Sequence, residues 1–305
     1  MRVAVLMSTY NGEKFIDEQI VSILKQLPAE GLLMVRDDGS TDRTVEKIRR
    51  IQDNRIQIET GENIGFAKSF LTLLNETPRD MEMIMFADQD DVWLDGKIQR
   101  AWDCLSASNG QAILYCSRQL ITDKDLNILE VSEEIAHWPS FSNAIAENIV
   151  TGCTAAINNC AHHLMLRAGV PDNVRFHDWW LYLVISAHGV VVVDDKPLIL
   201  YRQHENNYMG RGVGWLGRIV KKIRYLRKGT WPEALVSQIL ELRKYYWSSL
   251  SDYNKIIIDQ YIEESKIGVH VRWNFILRPH LWTGSIFRDI ALRTILTAHR
   301  LNKNN

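Results

Sequence analysis

Apolar and polar positions alternate in blocks along the first ninety residues. Val3 to Met7 is an unbroken apolar run, the pattern of a strand buried on both faces, and it stops at the polar loop Ser8-Thr9-Tyr10-Asn11-Gly12. Phe15, Ile16, Ile20, Ile23, Leu24 and Leu27 then recur at helical spacing, and Pro28 follows. Leu32 to Val35 predicts a second strand, ending at Asp37-Asp38-Gly39-Ser40-Thr41-Asp42, with a helix through Thr44, Val45, Ile48 and Ile51 behind it. Ile56 and Ile58 mark a short alternating strand. The loop Glu62-Asn63-Ile64-Gly65 leads into a third helix through Phe66, Phe70, Leu73 and Leu74. A further apolar run, Met83 to Ala87, ends abruptly at Asp88-Gln89-Asp90-Asp91. This strand–loop–helix rhythm predicts an α/β fold with a doubly wound, mostly parallel sheet.

The pattern continues less regularly. Residues 97–105 read as a helix, Ala112 to Cys116 as a strand, and Ile121 to Leu129 as a hairpin or polar excursion. Trp138 to Ala146 reads as loop, then helix. Asn148 to Ala156 is rich in small residues, a strand that would let a ligand or another backbone approach or a helix pack on it. His162 and His163 lie in a helical segment without acidic neighbours at ligand spacing and read as packing or surface residues. Asp178 starts an aromatic helix after Phe176-His177, either as its N-cap or as a general base. Gly189 to Val193 and Pro197 to Leu200 predict two more strands, and the polar run Tyr201-Arg202-Gln203-His204-Glu205-Asn206-Asn207 follows them.

Composition is that of a soluble globular chain, with 46% hydrophobic and 24% charged residues. The net charge of −1 conceals two opposed regions. Residues 1–210 hold 19 Lys+Arg against 30 Asp+Glu, and residues 211–305 hold 17 against 7. None of the four cysteines, Cys104, Cys116, Cys153 and Cys160, is at CxxC spacing, so neither a zinc ribbon nor a redox pair is indicated. No apolar run reaches the ~20 residues of a bilayer span, and no targeting segment precedes the first strand. The expectation is a cytoplasmic protein with reduced thiols.

Neither GxGxxG nor GxxxxGK[ST] occurs, so dinucleotide and P-loop sites are not expected. The loops carry side-chain chemistry instead. Tyr10 can stack on a base, Asn11 can bond a sugar or phosphate, and Asp38 can accept from an imide or ribose donor; each also suits a plain turn. Three carboxylates within four residues at a strand's end repel one another unless a hard divalent cation neutralises them or the turn simply caps the helix after Gly96. Arg202 and His204 suit a diphosphate and a metal ion. In a parallel sheet all these loops converge on the rim beyond the strands' carboxyl ends, where ligands bind.

Taken in order, Ser8-Thr9-Tyr10-Asn11-Gly12, Asp37 to Asp42, Glu62 to Gly65, Asp88-Gln89-Asp90 and Asp178 resemble the inverting nucleotide-sugar glycosyltransferases of family 2, with the GT-A fold, over residues 2 to about 210. The strings Phe86 to Trp93 and Tyr201 to His204 are most similar to the bacterial polysaccharide branch that includes many rhamnosyltransferases. The resemblance implies a GT-A domain over 1–210, with a nucleotide-sugar half (1–110) and an acceptor half (111–210), and a basic helical region over 211–305. It implies that Ser8, Tyr10, Asn11, Asp38, Asn63, Asp88 and Arg202 hold the nucleotide-sugar, that Asp90 and His204 bind Mg²⁺ or Mn²⁺, and that Asp178 is the catalytic base. Two departures stand out: His177 precedes the base where the family usually has an acid, and the Gln-x-x-Arg-Trp motif of processive synthases is absent. The expected reaction adds one sugar, with dTDP-rhamnose as the donor implied by the branch, to a lipid-linked saccharide in O-antigen or capsule synthesis. A sugar-1-phosphate nucleotidyltransferase and a non-catalytic nucleotide-sugar scaffold are the rival readings.

The basic tail matches no catalytic motif. Trp215, Ile219, Ile223 and Leu226 fall on one helical face with Arg218, Lys221, Lys222 and Arg224 around it, and apolar and aromatic residues alternate with arginines from Arg272 to Ile295. Such helices suit the anionic inner face of a bacterial plasma membrane, packing on the catalytic domain, or a homodimer contact; no nucleic-acid motif is present.

Overall fold

The apolar runs of the central strands are buried because helices cover the sheet on both sides. The computed structural model describes residues 1–134, 139–204 and 230–266, and the side chains of the last segment from 234 to 263. Strands β1 (Val3–Thr9), β2 (Leu32–Asp37), β3 (Ile56–Thr60) and β4 (Met83–Ala87) are parallel neighbours, in the spatial order β4-β1-β2-β3. They alternate with α1 (Ile16–Leu24), α2 (Thr44–Arg50) and α3 (Phe66–Glu76). The small strand β5 (Val92–Trp93) and α4 (Lys97–Leu105) follow the acidic turn.

Beyond them come β6 (Ile113–Ser117), the antiparallel hairpin β7 (Leu120–Thr122) and β8 (Ile128–Val131), and α5 (Phe141–Ala146). Next are β9 (Ala156–Asn158), α6 (Asn159–Met165), α7 (His177–His188), β10 (Val190–Asp194) and β11 (Ile199–Arg202). Only β9 runs against its neighbours β4 and β6 in the seven-stranded sheet β10-β6-β9-β4-β1-β2-β3. The expected doubly wound, mostly parallel architecture is therefore present. A second sheet, β5-β11-β7-β8, folds the polar run after β11 against the acidic turn.

The two faces of β1 go to different cores. Val3, Val5 and Met7 pack with Ile16, Ile20, Ile23, Ile48 and Ile98 from α1, α2 and α4. Ala4 and Leu6 pack with Phe70, Leu73 and the apolar side chains of α5, α6 and α7.

Three details of the sequence reading change. The small-residue stretch before Ala156 is not a strand: Ala155 N–H bonds Gly152 O (2.9 Å) and Thr154 N–H bonds Thr151 O (2.9 Å), a 3₁₀ turn over Gly152–Thr154. The last strand runs from Ile199 rather than Pro197, because its partners are Trp93, Val92 and the β7 residues Leu120 to Thr122. The boundary drawn at 210 does not divide the core. Helices α8 (Thr230–Tyr246) and α9 (Asp252–Lys266) place Leu235, Ile239, Leu242, Tyr246, Ile258 and Ile262 in the same buried cluster as α7. The two basic segments read as amphipathic helices, 214–228 and 272–295, lie outside the described residues. Among those described, no helix is long and apolar enough to cross a membrane, and all four cysteines are free.

Candidate functional site

Parallel strands deliver their carboxyl ends to one rim, and the polar loops meet there. The β1 and β2 loops are stitched together first. Asp38 N–H bonds Thr9 O, Asn11 N–H bonds Ser40 Oγ (2.8 Å), and Asn11 Oδ1 accepts Thr41 N–H (2.9 Å). Asn11 holds a left-handed backbone, φ 49°, a conformation Asn tolerates. Tyr10 beside it is 48% exposed, leaving its ring free to stack. Asp38 is buried; it pairs with Arg36 and accepts the N–H groups of Ile64 (3.0 Å) and Gly65 (2.9 Å). It thus orders the third loop, where Asn63 Oδ1 also accepts Gly65 N–H. Ser8 sits one residue further into β1 and hydrogen-bonds Ser69 of α3 (2.7 Å).

The acidic turn is held by a polar stripe that runs along α1 and into the turn after it. Gln19, Ser22 and Gln26 follow one another at helical spacing along an otherwise apolar face. Gln19 Nε2 bonds Asp88 O (2.8 Å), Ser22 Oγ accepts Trp93 N–H (3.0 Å), and Gln26 bonds Leu94 O and Lys97 N–H. Sequence reasoning counted only the apolar positions of this helix; buried amides within that face were the available signal.

The three carboxylates then separate. Asp90 Oδ2 stands 2.7 Å from His204 Nε2, whose ring lies against Phe15. Burial, then the charges of Asp90 and Asp178, raise Asp88 to about 7. Asp91 is fully buried. Gly96, not the acidic turn, is the cap residue of the following helix, and Asp91 Oδ1 accepts Arg202 N–H (3.1 Å) from β11. Its other oxygen has no hydrogen-bond partner among the described residues. Behind it lie two groups the sequence did not single out. Lys97 is only 2% exposed, its ammonium 5.1 Å from the Trp93 ring, and burial lowers it to about 8 against the opposing pull of Cys153 and Asp91. Cys153, on the 3₁₀ turn, brings its sulfur within 4.8 Å of ligand atoms of Asp88 and Asp91.

Arg202, expected on a diphosphate, is occupied by the protein. Its guanidinium bonds Asp90 O (2.8 Å), Lys124 O (2.6 Å) and Glu18 Oε2 (2.5 Å), and lies over the Phe15 ring. It braces the acidic turn from behind.

Asp178 reaches the same rim from the other side. Phe176 is the cap residue of α7, so Asp178 stands within the first turn rather than capping it, and its Oδ1 accepts Trp179 N–H (2.7 Å). Burial raises it to about 6, against hydrogen bonds from Trp179, Gly152 and Asn148 that favour the ionised form. His177 is not a second acid or cation. Its ring stacks on Phe70 (4.1 Å) near Phe86, and burial drives it down to about 3, so it is neutral at pH 7. A Cβ on Gly152 would come within 2.7 Å of its Nε2, which explains a bare residue at that turn. His162 is buried against Leu74 O, a packing residue as expected.

The donor set fits a hard divalent cation. The carboxylates of Asp88 and Asp90 and the imidazole nitrogen of His204 beside Asp90 are oxygen and nitrogen donors of the kind such an ion takes. Asp88, Asp90 and His204 are partly exposed, whereas Asp91 and Cys153 are sealed in front of Lys97. A cation that also meets a ligand from solvent belongs on the exposed side.

A family model described as glycosyl transferase family 2 matches residues 4–170. The chain is 27% identical over 288 residues to the dTDP-rhamnosyl transferase RfbG of Shigella flexneri, covering 90% of this chain and 93% of that protein. It is 28% identical over 185 residues, 60% of this chain and 69% of the relative, to the UDP-Glc:alpha-D-GlcNAc-diphosphoundecaprenol beta-1,3-glucosyltransferase WfgD of Escherichia coli. Among solved structures, S. aureus TarS 1-349 in complex with UDP-GlcNAc superimposes with a TM-score of 0.60 at 16% identity, covering 99% of this chain and 92% of that one. The mannosyltransferase PcManGT from Pyrobaculum calidifontis, in complex with GDP-Man and Mn2+, gives 0.54 at 18%, covering 99% and 88%. These two likenesses establish the shared fold.

Proposed function

The chain belongs to glycosyl transferase family 2 and is a glycosyltransferase, and from that premise we propose that it moves one sugar from a nucleotide-sugar to a hydroxyl of a saccharide acceptor during surface-polysaccharide synthesis. The observation that carries this reading is that Asp90 and Asp178 both come near enough to Asp88 at the rim for their charges to raise it. Tyr10 stacks on the nucleobase, and Asp38 keeps lone-pair capacity on Oδ2 for an imide donor. Asn11, Asn63 and Ser8 line or order the ribose side, and Asp88 faces the ribose. Arg202 acts through the acidic turn it braces, positioning Asp90 for the diphosphate. Asp90 and His204 would hold Mg²⁺ or Mn²⁺, which when bound offsets the charge growing on the leaving diphosphate.

Asp178 is the base. Ionised, it accepts the proton of the acceptor hydroxyl as that oxygen attacks the anomeric carbon opposite the departing diphosphate. The oxygen–carbon bond forms as the carbon–phosphate-oxygen bond breaks, so one displacement inverts the centre with no sugar–protein intermediate. His177, neutral among phenylalanines, leaves Asp178 as the single acid–base group on its helix end. A fixed raised carboxylate near pH 6 suits a base working at neutral pH.

The likeness to RfbG over nine-tenths of the chain supports dTDP-rhamnose as donor, and the likeness to WfgD supports a lipid-linked acceptor. An acceptor in the bilayer would place the protein on the membrane's inner face. The test is a thermal-shift screen of sugar nucleotides with Mg²⁺ and Mn²⁺. A dTDP-sugar with metal is expected to raise Tm, and Asp90→Ala to remove most of that rise. A larger shift with UDP-glucose would overturn the donor, and no shift with any nucleotide would sink the reading as a whole.

A further inference from the structure

The middle residue of Asp88-Gln89-Asp90 has no part in the chemistry above. Its amide is nevertheless fully used. Oε1 accepts Tyr10 N–H at 2.9 Å, and Nε2 donates to Tyr10 O at 3.0 Å. Donor and acceptor on one planar head, spent on the backbone of one residue, is something among side chains that Gln and Asn offer. A second, independent feature matches it. A Cβ on Gly12 would lie 2.3 Å from Gln89 Oε1 and 2.6 Å from its Cδ. Gly12 cannot drift aside: its N–H bonds Thr44 Oγ1 (2.8 Å), and its carbonyl accepts Phe15 and Ile16 N–H (3.1 Å each) as α1 begins. Its glycine is required by the amide seated over it, at a position where no left-handed φ demands one. Two stretches seventy-nine positions apart are therefore shaped to a single contact.

We propose that Gln89 is a positioning residue that locks the loop carrying Tyr10 to the turn carrying Asp88 and Asp90, fixing the spacing at which a nucleoside diphosphate is gripped by its base and by its phosphates. Tyr10, half exposed at the tip of β1, has no other tie on its own N–H and C=O among the contacts described, so its ring goes where Gln89 holds its backbone. The inference rests on the donor-site reading above.

The steric and polar observations make a double-mutant cycle the natural test. UDP and dTDP are titrated calorimetrically, at saturating Mn²⁺, into wild type, Gln89→Ala, Gly12→Ala and the double variant. Gln89→Ala is expected to weaken nucleotide binding about tenfold, the scale of two lost hydrogen bonds. Gly12→Ala should match it, because the new methyl displaces a flexible amide. The double variant should bind no worse than Gln89→Ala, since nothing is left to displace. Mn²⁺ affinity without nucleotide should stay within about twofold in Gln89→Ala, because the amide is no ligand. Additive losses, wild-type binding in Gln89→Ala, or a loss of bare Mn²⁺ binding as large as the loss of nucleotide would each overturn the lock. Wild type that binds neither nucleotide would overturn the donor-site reading and the lock with it, an outcome read from the first titration alone.

Discussion

At the scale of single residues, the same burial that prepares Asp178 for proton transfer works against the fold. Its carboxyl is raised from 3.8 to about 6, so the folded chain holds the proton more tightly than the unfolded chain does. The stability this group can contribute is fully present below about pH 4 and is lost as pH rises through 6, a difference of roughly 3 kcal/mol. Asp178→Asn removes that cost. It is expected to raise Tm at pH 7.5, to leave Tm nearly unchanged near pH 4, and to lower kcat at least a hundredfold. Wild-type kcat should fall below pH 6 as the base protonates. A variant that is inactive but no more stable at pH 7.5 would place Asp178 in the architecture instead. In sequence Asp90 stands out just past an apolar run, Asp178 at the start of an aromatic helix and His204 within a polar run. Lys97 was not. In sequence it is an ordinary cation in the first turn of a helix, and only the folding of Cys153 and Asp91 onto it reveals a buried ammonium.

Among elements, the legible ones are those whose partners are close in the chain. Strands β1 to β4 and their helices follow from apolar runs broken by polar loops, each element burying the one before it. The second sheet was only partly visible. Its β5 has two residues, too few for a period, and its pairing with β11 spans more than a hundred positions. Arg202 therefore looked like a free cation for phosphate, when β11 in fact carries it under the acidic turn. Helix α8 makes a similar distant contribution. Gln238, fully buried, accepts the N–H of Phe176 (3.0 Å), the residue that opens α7 two positions before Asp178, and Glu241 accepts from Asn173 (2.7 Å) in the approach to it. Gln238→Ala leaves that N–H without its acceptor at a cost of about 1–3 kcal/mol. The expected result is a several-fold fall in kcat with the donor KM unchanged, since the nucleotide loops sit on other strands. A rise in donor KM of the same size would mean that α8 supports the whole rim rather than the base.

For the whole molecule, the packing of α8 and α9 relocates the charge asymmetry. Residues 211–305 carry 17 basic against 7 acidic side chains, yet residues 230–266 hold 4 against 6. The positive excess thus falls entirely in 211–229 and 267–305, outside the described residues and on either side of two helices built into the catalytic core. Thirteen basic side chains against one acidic in those segments call for an anionic partner, and a membrane surface is the one a lipid-linked acceptor would supply. Each basic residue near an anionic bilayer contributes about 1 kcal/mol, screened by salt. Co-sedimentation with phosphatidylglycerol vesicles is therefore expected at low salt and should fade as salt rises. Replacing Arg218, Lys221, Lys222 and Arg224 by Gln should weaken it at least a hundredfold, with transfer to a short water-soluble acceptor unchanged. Equal binding to neutral vesicles, or none to either, would leave the excess charge to another acidic partner and remove the membrane from the proposal.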